Sequence, residues 1–355
     1  MASPAVITVL ISSLLYSLSF STAAAATFRC NSTTTCDAIV DYVLPNTTTL
    51  NHIKNLFNLK NLRSILGANN LPLTTPPNFT LPATTAVKIP FPCLCTNGTG
   101  KSNKRPMYTV VKDDGLYHIA AKVFSGLVTF QEIQAANNIS DANLITVGQK
   151  LWIPLPCSCD DVDGQRVVHY GHVVPAQSTI EGIAEEFGTS QDTLLRLNGL
   201  ASPRDLKADS ILDVPLKACT SMVRNDSLDN PLLVANGTYV FTAANCVMCK
   251  CDAANNWTLQ CEPTQLNSSL WQSCPSTQCQ GAQLMSLGNS TSAGCNRTSC
   301  TYAGYTNQTI LTTLVPESTC PASQDNSSAI ALQSWRWSSL WILFHLFLLS
   351  INKFL

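Results

Sequence analysis

Three stretches of this chain close on nearly the same residues. They are Val87-Lys88-Ile89-Pro90-Phe91-Pro92-Cys93, Leu151-Trp152-Ile153-Pro154-Leu155-Pro156-Cys157 and Leu212-Asp213-Val214-Pro215-Leu216-Lys217-Ala218-Cys219, and the closing cysteines are 64 and then 62 residues apart. A second echo precedes each: Leu66-Gly67-Ala68-Asn69-Asn70-Leu71, Ala135-Ala136-Asn137-Asn138-Ile139 and Leu195-Arg196-Leu197-Asn198-Gly199-Leu200. Two echoes in fixed order at such a period mean one small fold used three times. Small repeated modules outside the cell serve binding more often than catalysis.

The middle repeat shows what the unit is. Tyr108 to Val111 alternates like a short strand, and Asp113-Asp114-Gly115 is a turn. Leu116, Ile119, Ala120 and Val123 then recur at helical spacing, and Phe130, Ile133 and Gln134 lie on a second helix that Asn137-Asn138 stops. Gly148 to Pro154 is a closing strand whose proline suits an edge or an end. The unit is βααβ. The third repeat reads alike: strand Val168 to Val174, helices Thr179 to Phe187 and Gln191 to Asn198, closing strand Ser210 to Pro215. The first is the most divergent, with Leu50-Ile53-Phe57 and Leu62-Ile65-Leu66 as its helical positions. The repeats span 38–92, 107–156 and 168–218.

A unit of about 50 residues buries too little apolar surface to be secure alone. Cys30, Cys36, Cys93, Cys95, Cys157 and Cys159 fall between repeats and none within them, so cross-links there clamp the three units into one block. A metal site is the competing use of Cys-x-Cys, but histidine partners are lacking and the chain is secreted. Residues 220–325 hold nine more cysteines among Ser, Thr, Asn and Gly. They read as a small disulfide framework of hairpins and loops, with Cys219 as tenth partner, running into a polar stalk from about residue 306. Spacing does not give the connectivity.

The termini indicate location. Residues 1–26 read as a secretory signal peptide, apolar from 4 to 20 and ending in Ala23-Ala24-Ala25-Ala26. Near the other end come small residues Asn326-Ser327-Ser328-Ala329, a spacer of about ten residues and an apolar tail from Leu340 to Leu349. That tail falls short of the roughly 20 residues a spanning helix needs. The pattern matches a GPI-attachment signal, with Asn326, Ser327 or Ser328 as attachment residue and 327–355 as propeptide. A short tail anchor is the alternative, disfavoured by the signal peptide. Thirteen Asn-x-Ser/Thr sequons occur: Asn31, Asn46, Asn78, Asn97, Asn138, Asn225, Asn236, Asn256, Asn267, Asn289, Asn296, Asn307 and Asn326. Charged residues make up only 12 %, so glycans rather than charge keep this surface soluble. There is no basic cluster beyond Lys101 to Arg105, and nothing points to nucleic acid.

The βααβ unit with its Asn-Asn-Ile echo and Leu-Trp-Ile-Pro-Leu-Pro ending resembles the LysM module. Leu66-Gly67-Ala68-Asn69, Val87 to Phe91, Gln131-Glu132-Ile133 and Leu151 to Cys159 carry the likeness. With its signal peptide, Cys-rich part and GPI-like tail, the chain resembles plant LysM domain-containing GPI-anchored receptor proteins over nearly its whole mature length. The fold class so implied is α+β: three disulfide-clamped βααβ LysM modules followed by a small cysteine-rich region. The resemblance implies the pairs Cys30–Cys95, Cys36–Cys159 and Cys93–Cys157. It also implies a shallow groove for an N-acetylglucosamine chain between two loops of the middle module. These are Asp114-Gly115-Leu116-Tyr117-His118-Ile119-Ala120 and Ala142-Asn143-Leu144-Ile145-Thr146-Val147-Gly148-Gln149. The chemistry agrees. An N-acetyl group has a methyl to bury and an amide to satisfy, so the groove needs an apolar floor, here Leu116 and Ile145, and backbone polar groups on rigid turns. Leu116, Ile119 and Ala120 also suit a core. No cofactor or metal is implied.

The expected function is a non-catalytic cell-surface receptor for chitin oligosaccharides in innate immune signalling. The resemblance implies a LysM receptor kinase as partner, a ligand-bridged homodimer and a lipid tie to the membrane. Related members bind peptidoglycan, which is the alternative ligand. A hydrolase needs two carboxylates flanking a cleft. Residues 220–325 have no histidine and only Asp226, Asp229, Asp252, Glu262, Glu317 and Asp325, scattered. A wall-associated structural or lipid-carrying protein is a third reading, weakened by the absence of long amphipathic helices.

Overall fold

The computed structural model describes residues 28–318 except Ser32, Gln280 and 282–284. The expected signal peptide, the attachment residues Asn326, Ser327 and Ser328, and the propeptide lie outside them. In chain order the elements are β1 (Thr34–Val43), β2 (Thr48–Thr49), α1 (Leu50–Leu56), α2 (Arg63–Ala68), β3 (Thr80–Leu81), β4 (Ala86–Thr96) and β5 (Thr99–Ser102). Then come β6 (Met107–Thr109), α3 (Leu116–His118), α4 (Phe130–Ala136), β7 (Lys150–Trp152), β8 (Val167–Val173), α5 (Ile180–Phe187), α6 (Gln191–Leu197) and β9 (Ile211–Lys217). The Cys-rich part adds β10 (Thr238–Thr242), β11 (Val247–Cys251), β12 (Gln260–Pro263), β13 (Ser290–Ala293), β14 (Asn296–Tyr305) and β15 (Ile310–Ser318).

Each repeat folds as β-α-α-β, and the echoed Asn does more than stop a helix. Asn137 caps α4, and its Nδ2 donates to Ile133 O and to Trp152 O, both at 2.8 Å. Its Oδ1 accepts from the Trp152 N–H, also at 2.8 Å. One amide therefore ties a helix end to the closing strand. Asn69 binds Ile65 and Lys88 in the same way, and Asn198 binds Leu194 and Asp213. The next residue, Asn70, Asn138 or Gly199, has positive φ (50°, 52° and 62°). The one after, Leu71, Ile139 or Leu200, donates its N–H five residues back, to Leu66, Gln134 or Leu195. This is the Schellman ending, whose left-handed position favours Gly or Asn. The closing strands then turn apolar residues inward at every second position, and in the third Asp213 and Pro215 between them are buried as well. Val87, Ile89 and Phe91 are buried, as are Leu151, Ile153 and Leu155, and Leu212, Val214 and Leu216.

The repeats are not joined alike. The first and second share one hydrophobic core. The Phe57 ring meets Tyr42 at 5.0 Å and Phe124 at 5.8 Å, both edge-on. Phe124 reaches that cluster because a π-turn over Ile119–Val123 inserts one residue after α3. The bonds Cys36–Cys159 and Cys93–Cys157 fasten these two units, and Cys30–Cys95 closes the first upon its N-terminal segment. Gly100 is required there, since a Cβ on it would lie 1.9 Å from Cys157 O. Cys36, Cys93 and Cys159 bring their sulfurs together, but all three are oxidised in disulfides and offer no thiolate.

The expectation that disulfides clamp all three repeats needs correction. The third repeat is not cross-linked to the other two; its closing Cys219 bonds to Cys251 of the Cys-rich region. Its strand β8 instead pairs parallel to β1, Ile39 opposite Tyr170 and Val40 opposite Gly171, making a sheet of order β5-β4-β1-β8-β9. At this seam Asp41 accepts from the Tyr170 hydroxyl and, at 2.8 Å, from His172 Nδ1. Nearby, buried His169 places Nδ1 2.9 Å from Asp213 Oδ1 and Nε2 2.8 Å from Asp160 O. Both ring nitrogens face acceptors, which favours the doubly protonated ring, although burial pushes the Asp213 carboxyl up as well. Burial alone would lower the His169 pKa, but the Asp213 carboxylate and the Asp160 carbonyl outweigh it and hold it above the ordinary value.

The Cys-rich part is two three-stranded sheets, β10-β11-β12 and β13-β14-β15, with bonds Cys219–Cys251, Cys246–Cys274, Cys249–Cys261 and Cys279–Cys300. The expected stalk from about residue 306 is replaced, as far as Ser318, by β15, which pairs with β14 from Tyr305↔Ile310 to Asn296↔Ser318. A segment rich in Thr and aliphatic residues suits a strand once a partner satisfies its backbone. This region docks on both outer repeats. Tyr239 donates to Leu71 O at 2.6 Å, and a Cβ on Gly67 would lie 2.0 Å from Tyr239 O. Lys217 Nζ sits 4.2 Å from the Trp257 ring centroid.

Two outcomes are expected. Asn137→Ala strands the Trp152 N–H and C=O and lowers stability by about 2 kcal/mol in urea titration; a change near zero removes the clamp. His169 contributes fully below about pH 6.5, the unfolded histidine value, and its contribution is lost as pH rises through the raised folded value. The thermal midpoint accordingly falls from mildly acid to alkaline pH, and His169→Gln flattens that slope.

Candidate functional site

The two loops of the middle repeat are held together at their base. The Val110 N–H donates to Gln149 O at 2.9 Å, and the Gly148 N–H donates to Val110 O at 2.8 Å. The same latch joins Leu44 to Thr85 and Thr84, and Val174 to Ser210 and Asp209. Thr84, Gly148 and Asp209 all have positive φ (65°, 86° and 61°). The latch aligns the repeats residue by residue. Leu116 corresponds to Leu50 and Ile180, and Ile145 to Leu81 and Leu206.

Asp114 organises the first loop. Its side chain is only 1 % exposed and accepts from the Val111 N–H at 2.8 Å, the Tyr108 hydroxyl at 2.9 Å and His118 Nδ1 at 2.9 Å. Burial pushes its pKa up, but these three bonds outweigh it and hold the carboxyl below the ordinary value. The Tyr108 hydroxyl is pushed up to about 12 by burial and by Asp114. In the second loop Asp141 Oδ1 accepts from the Asn143 N–H and its Nδ2, and the Leu144 N–H donates to Asp141 O. Gln149 Oε1 accepts from the Thr146 N–H at 3.0 Å, and the Gln149 N–H donates back to Thr146 O. These turns push Leu144 and Val147 outward, 69 % and 70 % exposed.

The expected floor therefore needs correcting. Leu116 is 2 % exposed and belongs to the core, as do Ile119 and Ala120. Its counterparts Leu50 and Ile180 are buried too, because this position starts the inward face of the first helix in every repeat. Ile145 and Ala142 are half-buried against the same core, as are Leu81 and Leu206 in their repeats. The exposed apolar side chains are Val111, Tyr117, Leu144 and Val147. Gly115 is extended, with nothing within 4 Å of a Cβ built on it. His118, Asn143, Thr146 and Gly148 are exposed, and Gln149 is half-buried. Val111 was missed by sequence reasoning. The signal was Val110-Val111, since a strand turns only one of two neighbours inward.

The corresponding loops of the outer repeats differ. In the first, β2 pairs with β3, and Leu50 and Asn51 donate to Phe79 O and Pro77 O, so its own backbone closes the groove. In the third, Glu181, Arg204, Asp205, Lys207 and Asp209 stand exposed. Of the three repeats, the middle one alone exposes large apolar side chains on both loops, since Leu73 and Phe79 of the first lie on its second loop only. The twelve sequon asparagines from Asn31 to Asn307 are all exposed, and Asn31 Nδ2 donates to Asp160 at 2.8 Å.

The LysM domain family matches residues 108–154 and 172–215. The chain is 49 % identical over 330 residues to "LysM domain-containing GPI-anchored protein 2" of Arabidopsis thaliana, covering 92 % of each. It is 40 % identical to the "Chitin elicitor-binding protein" of Oryza sativa subsp. japonica, covering 93 % of this chain and 92 % of the relative. The solved ectodomain of a receptor-like kinase matches with a TM-score of 0.44 at 24 % identity, covering 52 % of this chain and 94 % of that one.

Leu116→Ala is expected to cost about 2–5 kcal/mol, as a buried truncation does. Val147→Ser and Leu144→Ser should stay within about 0.5 kcal/mol. Equal losses in urea titration would return Leu116 to the groove.

Proposed function

The chain belongs to the LysM domain-containing GPI-anchored proteins, and on that premise we propose that it is a non-catalytic receptor binding chitin oligosaccharides through its middle repeat. The observation that carries this reading is the exposure of Val111, Tyr117, Leu144 and Val147 on and beside two loops latched together at their base. A polymer of N-acetylglucosamine is uncharged and carries one acetyl methyl per unit, so an apolar rim on rigid turns suits it. The relative named as a chitin elicitor-binding protein, alike over nearly the whole chain, supports the same ligand. The groove carboxylate, Asp114, is engaged by three hydrogen bonds and is poorly placed for acid–base chemistry.

As a member of a GPI-anchored family, the protein sits at the outer face of the plasma membrane. A lipid anchor does not itself carry a signal across the membrane, so we assign that step to a receptor kinase with a LysM ectodomain. One oligosaccharide spanning two grooves would join two receptors, either this kinase or a second copy of the chain. The gain then comes from effective concentration. The first repeat is taken as a divergent third LysM module whose groove is shut.

Calorimetry on the purified protein tests the reading. Chitin octamer is expected to bind far better than dimer, and Val147→Asp should weaken the octamer at least tenfold without lowering the thermal midpoint. Binding only to a soluble peptidoglycan fragment would instead make the groove a sensor of bacterial wall. Octamer binding unchanged by Val147→Asp would move the site elsewhere.

A further inference from the structure

A cleft of about 520 Å³ lies between the first repeat and the Cys-rich region, within the roughly 300–1,000 Å³ of small-molecule sites. Its walls come from β1, β4, α2, β10 and the loops around Pro231, Asn245 and Ser269. Asp37 on β1 opposes Pro92 on β4 and is exposed. Its carboxylate has no hydrogen-bond or ion-pair partner among the described residues. The carboxylate reaches the water that fills the cleft, while the protein walls around it displace part of its wider hydration and raise its pKa. The other carboxylate in the lining, Asp229, is engaged by the hydroxyls of Ser227, Thr242 and Tyr302. No Lys, Arg or His lines the cleft. Arg63 lies over the Phe241 ring, 5.7 Å from its centroid, and does not pair with Asp37.

We propose that this cleft is a second binding site, and that it takes an amino sugar: a glucosamine residue with a free ammonium group. An unpaired carboxylate in a cleft lined by no cation attracts a positively charged group, and protein walls on several sides screen that attraction less than open water does. The walls suit a sugar ring better than a slender side chain. Phe241 and the flat rings of Pro90, Pro92 and Pro231 offer faces for ring C–H groups, while Asn61 and Ser269 offer partners for hydroxyls. A backbone run in the left-handed region, Ala243, Ala244 and Asn245 at φ 45°, 54° and 75°, forms another part of the wall. Such strain concentrates at ligand sites. The proposal deepens the reading above, since glucosamine arises wherever the same polymer loses an acetyl group, but it does not use the middle groove.

The test is calorimetry on the full-length protein with glucosamine tetramer, N-acetylglucosamine octamer and α-N-acetyl-lysine amide. Wild type and Val147→Asp should bind glucosamine tetramer equally, with one site, and added salt should weaken it. Asp37→Asn should weaken it at least tenfold while leaving the thermal midpoint and octamer binding unchanged. Three results overturn the proposal: no binding of the tetramer, equal binding by Asp37→Asn, or binding of the lysine probe in its place. Loss of octamer binding is read separately, from wild type against Val147→Asp, so failure of the groove leaves this site standing.

Discussion

A single side-chain amide, used three times, sets the geometry of this chain. Asn69, Asn137 and Asn198 each donate to the helix they end and exchange two bonds with the strand that closes the repeat. A helix end leaves carbonyls without partners, and a short strand has few ladder bonds. The clamp answers both needs with one residue and fixes the angle between them. The length of the intervening loop can then vary without moving the strand. In the first repeat that loop carries β3 and folds back, while in the second it projects Leu144 and Val147 into solvent.

With its frame held this way, each repeat is free to attach by a different bond type. The first two merge their apolar interiors around Tyr42, Phe57, Tyr108 and Phe124, and disulfides secure the edge of that merger. The third has its own interior, joined through main-chain pairing and a buried polar group of Asp41, Tyr170 and His172. The Cys-rich region then rests on α2 of the first repeat and on the end of β9, bracing the two outer units against one another. Among the described residues the middle groove is left clear of these contacts, which is where an open binding surface belongs.

Much of this was legible in sequence, for identifiable reasons. Helical spacing at Leu116, Ile119 and Phe130 and alternation in the closing strands are local signals, and the elements appear where they point. The Asn echo was visible, but a sequence shows a helix stop and not the strand 15 or 19 residues on that the same amide binds. Leu116 was ambiguous because core and groove both want an apolar residue there, and comparison with Leu50 and Ile180 resolves it. The β1–β8 pairing was illegible, since nothing in either strand names a partner so far along the chain. The strand at Ile310 was hidden in a Thr-rich stretch whose composition resembles a tether. The pairing of the first six cysteines came from resemblance, and spacing alone would have left it open.

The parallel pairing of β1 with β8 has a consequence for how the molecule is made. Residue 40 lies against residue 171, so the first repeat, complete at residue 92, leaves the ribosome with one sheet edge uncovered until some 80 more residues have followed. A linear array could fold unit by unit, each stabilised by its neighbour. This one cannot, because its first unit is completed by its third. Secretion therefore delivers a half-built sheet into the oxidising compartment, where early closure of Cys30–Cys95 can hold the first repeat in register while its partner strand is still being synthesised.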